Sequence, residues 1–229
     1  MSIFFLSGKR GASDAEPAVA KGPLIVRDPA ARLIFAQTAE VRAYWEALRD
    51  GATLPARAQI DPRGIAGALD CAFIIERIAP GIARFRLAGM HLVELMGMEV
   101  RGMPLSAMFD PMGRAALATG LEQVFKGPSI LDLRLAAERG LGKPSLHGRM
   151  LILPLRGDSG AADLALGCLA TIGEIGRKPR RFHIATTTQE MLSDAPKARV
   201  PEPGFAEAVP GFAPAPVKRP HLRLVRFDD

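Results

Sequence analysis

The chain of 229 residues is poor in cysteine, tryptophan and tyrosine, with two, one and one respectively. Cys71 and Cys168 lie in apolar, strand-like runs, which reads as two buried free thiols in a reducing compartment. There is no Cys-x-x-Cys pair and no His-rich tract, so the usual sequence patterns for a metal site are missing. Long apolar runs are missing too. Ile3-Phe4-Phe5-Leu6 is too short for a secretory core, and no later stretch reaches the ~18–20 apolar residues of a membrane span. A cytoplasmic protein without a membrane span is expected. The Gly-x-x-x-x-Gly-Lys-Ser/Thr phosphate loop and the Gly-x-Ser-x-Gly nucleophile elbow are both lacking. No convergent acid, base and nucleophile set stands out, and the expectation is a protein that is not an enzyme.

Positive charge is in excess by six, but not in the middle of the chain. Residues 29–175 hold 16 basic and 15 acidic side chains, whereas residues 176–229 hold 10 and 6. A nucleic-acid-binding domain concentrates its cations on the folded surface, so this distribution argues against one.

Composition divides the chain. Residues 1–28 lack a sustained period and read as a flexible leader. Residues 29–178 carry regular apolar patterning and read as the folded domain. Residues 179–229 read as a Pro-rich, basic, largely disordered tail, with seven prolines between Pro196 and Pro220. The tail then regains apolar and basic side chains in Leu222, Arg223, Leu224, Val225, Arg226 and Phe227, a candidate partner-docking motif.

Within the domain, Asp28-Pro29, Asp61-Pro62 and Asp110-Pro111 each suit a helix start. Aspartate caps free amides, and proline fits the first helical position. The first opens a helix over 29–49, with Ile34, Val41, Trp45 and Leu48 at near-helical spacing. Strands are predicted at Phe73–Ile78 and Ile82–Ala88, joined at Pro80-Gly81, and then at Ile130–Ala136, Leu146–Leu155 and Leu164–Ile172. Between the two groups lie short helices and one longer stripe of Leu117, Leu121, Val124 and Phe125. The short connections make the sheet antiparallel and the class α+β.

This order resembles the PAS fold. Trp45-x-x-Leu48-Arg49-x-Gly51, Pro55-x-Arg57-x-x-Ile60-Asp61-Pro62, Arg86-Leu87-Ala88-Gly89, Gly97–Gly102 and Leu153-Pro154-Leu155 look like successive segments of a bacterial family of small, stand-alone PAS proteins. The resemblance covers about residues 30–175. It implies a five-stranded antiparallel sheet with short helices on one face, preceded by an N-terminal helix that packs on the sheet or pairs between subunits through Tyr44 and Trp45. It further implies a sensor that relays a signal to a regulatory protein partner, and a homodimer. The alternative is a small-molecule or cofactor carrier without a signalling partner.

The cofactor is not identified by sequence. A flavin forming a cysteinyl adduct needs a cysteine in the helical segment, and residues 89–126 have none. Haem ligated from the long helix needs a histidine, and residues 110–126 have none. The apolar set Phe73, Ile75, Phe85, Leu87, Leu92, Leu95, Met96, Phe109, Leu117 and Leu121 should face the space between sheet and helices. It makes either a filled core or a cavity for a small apolar or planar ligand. His91 is the one imidazole near it, a ligand contact or simply a satisfied histidine at a helix start. Met90, Met96, Met98, Met103, Met108 and Met112 suit a deformable pocket or ordinary gap-filling. Ala83, Phe85 and Leu87 should share one face of their strand. Glu76, Arg77, Arg84 and Arg86 should line the opposite, outer face, as a solvated surface or a docking one.

Overall fold

The computed structural model describes residues 35–49 and 54–192. The expected leader, the Asp28-Pro29 cap, the seven prolines and the motif Leu222–Phe227 lie outside the described residues. Among the described residues there are three α-helices: α1 (Ala36–Leu48), α2 (Met90–Met96) and α3 (Pro111–Lys126). Six strands follow in chain order: β1 (Ala72–Ala79), β2 (Ile82–Ala88), β3 (Ser129–Ala137), β4 (His147–Leu155), β5 (Leu164–Ile172) and β6 (Phe182–Met191). They form one antiparallel sheet in the order β2-β1-β5-β4-β3-β6.

Local chemistry explains the boundaries. The Asp110 carboxylate accepts from the Gly113 amide at 2.6 Å and starts α3, with Pro111 in the first turn. Asp61 does the same for a 3-10 segment, Pro62–Cys71, accepting from Arg63 N at 3.0 Å. Gly97, at φ 72°, closes α2 in the left-handed conformation that only glycine adopts without strain.

The sheet is covered on both faces, which is why Ala72, Phe73, Ile74 and Ile75 are all buried in succession. On the inner face lie α2, α3 and the 3-10 turn Leu105–Met108, packed on Phe73, Ile75, Phe85, Leu131, Leu133 and Ile152. On the outer face, α1 and Pro62–Cys71 cover Ile74, Leu151, Leu153 and Leu166. Trp45 is the peg of α1. It is fully buried, and its indole N–H donates to the Pro154 carbonyl at 2.9 Å. The flanking helix thus packs on its own sheet. Tyr44 and Glu40 then fasten the 3-10 segment to α1, the phenol accepting from Asp61 N at 2.7 Å and the carboxylate from Gly67 N at 3.0 Å.

Two expectations are corrected here. The sheet has six strands, not five, because Phe182–Met191 pairs with β3 along its length. The folded domain therefore continues past residue 178, through a segment expected in the tail. Phe182 is fully buried and Ile184 packs against the inner core, while the other positions are mostly exposed, as an edge strand permits. The second correction concerns alternation. In the β1–β2 ladder Ile74 faces Leu87 but Ile75 faces Phe85, so Arg86 is an extra residue on β2. This bulge reverses the alternation after Phe85. Leu87 therefore leaves the inner face and stands 47% exposed beside Ile74 on the outer one.

Candidate functional site

The structure brings nine of the predicted cavity residues together. Phe73, Ile75, Phe85, Leu92, Leu95, Met96, Phe109, Leu117 and Leu121 belong to one inner core. Phe73 and Phe85 meet edge to face at 5.5 Å between ring centroids. The Phe73 ring also lies over Gly167 of β5, where even a Cβ would come within 2.2 Å of it. Ile75, Leu92, Leu95, Leu105, Met108 and Phe109 have no exposed area, and Phe85, Leu117 and Leu121 have 1%. These side chains are thus almost wholly withdrawn from solvent between the sheet and the helices.

Two predicted site residues lie elsewhere. Leu87 is on the outer face for the reason given. His91 sits half-buried at the start of α2, with Nε2 2.9 Å from the Thr171 hydroxyl of β5. Burial lowers its pKa, partly offset by Glu94 and Asp70. A depressed histidine pKa favours the neutral folded form, so its contribution to stability is complete above the unfolded value of 6.5 and is lost as pH falls through that region. Melting temperature should fall between pH 7.5 and pH 5, and His91→Gln should flatten that part of the profile, as differential scanning calorimetry would register.

The methionines divide between both roles. Met96 and Met108 are buried, Met103 packs at the core margin, and Met90, Met98 and Met112 are exposed. The expected charged face is also divided. Glu76 is shared by Arg84 and Arg86 at 2.9 and 3.0 Å, and the Arg84 hydrogen bond leads in holding its carboxyl below the usual range. Arg77, expected beside them, instead reaches Glu122 of α3 at 3.3 Å, because it alternates with Glu76 onto the helix side. Glu122 also accepts from Lys126 and from the Gly81 amide of the β1–β2 turn, which together hold its pKa at about 2.

Both cysteines stand on the outer side of the sheet, away from the inner core. Cys168 is buried on β5 and Cys71 is half-buried at the end of the 3-10 segment, and burial pushes both thiols up. Among the described residues no three His, Cys, Asp or Glu side chains gather as a metal-binding group, and no helix is long and apolar enough to cross a membrane.

Two features escaped sequence reasoning. One is Arg180, fully buried, whose guanidinium donates to the Pro144 carbonyl at 2.8 Å, to Glu138 at 3.1 Å and to Ile175. It joins the β3–β4 loop to the segment between β5 and β6. In sequence it is one of four cations in Arg177-Lys178-Pro179-Arg180-Arg181, with nothing to mark it as the buried one. The other is an apolar cleft of about 200 Å³ on the outer face, between Pro62–Cys71 and the β1–β2 edge. Leu87 and Leu69 stand at its walls, and Arg57 is the charged side chain that lines it.

Comparison with known proteins agrees with this architecture. The PAS domain family model matches residues 35–170, more than half of the chain, and the protein belongs to that family. The match stops before β6, which is therefore an addition to the matched unit. Among solved structures, the chain is similar to the light state of the blue-light photoreceptor Aureochrome1 LOV, at 14% identity and a TM-score of 0.34 over 49% of this chain and 88% of that one. A light-oxygen-voltage domain studied with a flavin analogue aligns at 17% identity and 0.34, over 49% and 84%. An RNA-binding light-oxygen-voltage receptor aligns at 17% and 0.34, over 51% of this chain and 35% of that one. No curated protein matches the sequence.

Proposed function

We propose that this PAS domain is a cytoplasmic regulator that relays a signal by contacting another protein, without catalysis of its own. The observation that carries the reading is the near-complete burial of the inner core. Phe85, Leu92, Leu95, Leu117 and Leu121 lie between sheet and helices with at most 1% exposure, and we read them as taking the space a ligand would need. A change of state then has to be read at the surface, as a shift between conformations that a partner favours unequally. The tail motif Leu222, Arg223, Leu224, Val225, Arg226 and Phe227 is the proposed partner anchor, its arginines suited to an acidic rim. A homodimer is part of the proposal.

Two measurements test it. Leu117→Trp should overfill a packed interior and cost ~1–3 kcal/mol in denaturant unfolding. A ligand lost from the variant but present on the wild type in native mass spectrometry would instead establish an inner pocket and the carrier reading. Removing residues 221–229 should weaken partner capture with little change in Tm. Unaltered capture would show that the motif is idle.

A further inference from the structure

The geometry points to the outer cleft as a binding site for a small monocarboxylate with an apolar, aliphatic or aromatic body. The size sets the first limit. About 200 Å³ is below the ~300–1,000 Å³ of sites for drug-sized molecules and above the ~150 Å³ of a cavity that takes benzene. A phenyl ring or a short alkyl chain with one polar group fits that range.

The walls set the second. Ile60, Ile65, Leu69, Leu87 and Leu166 supply aliphatic surface from three directions: the approach to the 3-10 segment, the segment itself and the sheet. Leu69 and Leu87 are each 47% exposed, so apolar area remains in water at the cleft mouth. The bulge at Arg86 is what places Leu87 there rather than in the core.

The charge sets the third. Arg57 is half-buried at the cleft, and among the described residues its guanidinium has no hydrogen bond or ion pair. Its backbone is held in place, with Arg57 N donating to the Arg156 carbonyl at 3.0 Å and Arg156 N to Pro55 at 2.9 Å. The neighbouring acid, Asp61, is turned to the Arg63 amide as a cap. A planar, unpaired fork at the edge of an apolar cleft suits a carboxylate, which it can bind through two parallel hydrogen bonds. The basic tail motif is the wrong sign for this site.

The cleft is also placed to transmit occupancy. One wall is the 3-10 segment that Tyr44 and Glu40 tie to α1, and the other is the edge hairpin. A ligand bridging the two walls would stiffen α1 against the sheet. The site does not depend on the partner-contact reading, because binding is measured on the purified chain alone.

Phenylacetate titrated into the ¹⁵N-labelled full-length protein should give saturable amide shifts centred on Ile65, Leu69, Leu87 and Gly89. Arg57→Gln should weaken binding at least tenfold with unchanged Tm. Phenylacetamide should bind the wild type as weakly as phenylacetate binds the variant. Leu87→Trp, which fills the cleft from its exposed wall, should abolish binding while the protein stays folded. Absence of saturable shifts, equal affinity in Arg57→Gln, or shifts centred on Leu92, Leu117 and Leu121 would each overturn the assignment. The loss of partner capture on tail removal can succeed or fail independently of these results.

Discussion

Arg180→Met should destabilise the protein by about 2–4 kcal/mol, a fall in Tm of roughly 5–15 °C. Two effects oppose each other. Methionine removes the cost of burying a guanidinium that has no carboxylate within bonding distance among the described residues, and its volume keeps much of the packing. Against that, the Glu138, Pro144 and Ile175 carbonyls lose a charged donor, at ~1.5–3 kcal/mol for a hydrogen bond to a charged group. Three such bonds outweigh one desolvation term that the folded protein already tolerates. Arg180→Lys separates charge from geometry. One ammonium cannot reach acceptors in two loops as the fork does, so lysine should recover less than half of the loss. Proteolysis of the methionine variant should begin at 138–144 and 174–178, the segments that Arg180 joins. Wild-type stability in Arg180→Met, by urea unfolding, would show that the loops hold without it.

Trp45→Ala should cost about 3–5 kcal/mol. The indole is fully buried against the outer face, and its removal leaves both a large void and the Pro154 carbonyl without its donor. Arg49, whose guanidinium lies 5.5 Å from the ring centroid, loses its platform as well. Trp45→Phe keeps most of the volume and loses the hydrogen bond, so it should retain more than half of the stability. An alanine variant with Tm within a few degrees of the wild type would mean that α1 is a loose appendage rather than a layer of the domain.

Much of this architecture was legible because it depends on short-range chemistry. Asp61-Pro62 and Asp110-Pro111 mark the starts of the segments they cap, and alternation in Leu131, Leu133 and Leu135 assigns the inner face of β3. The inner core was legible as a set, since helical and strand periods converge on it. What failed has a different physical origin. The bulge that turns Leu87 outward is a property of the pairing with β1, not of β2 alone, and perfect alternation in Ala83, Phe85 and Leu87 concealed it. β6 was hidden by polarity. An edge strand needs few buried side chains, and Thr186-Thr187-Thr188 offers β-branching without an apolar face. The cleft was not legible because its walls come from segments as distant as Arg57 and Leu166.

The long reach of Trp45 also bears on how the molecule is made. Its acceptor, Pro154, lies 109 positions downstream, and Arg42 of α1 pairs with Glu190 of β6 across 148. On the ribosome, α1 is complete before any of the strands it covers exists. Val41 and Trp45 must therefore stay undocked while β4 and β5 are translated, and a helix made early is among the last to settle. A chain arrested before residue 154 presents that apolar stripe with no sheet to receive it.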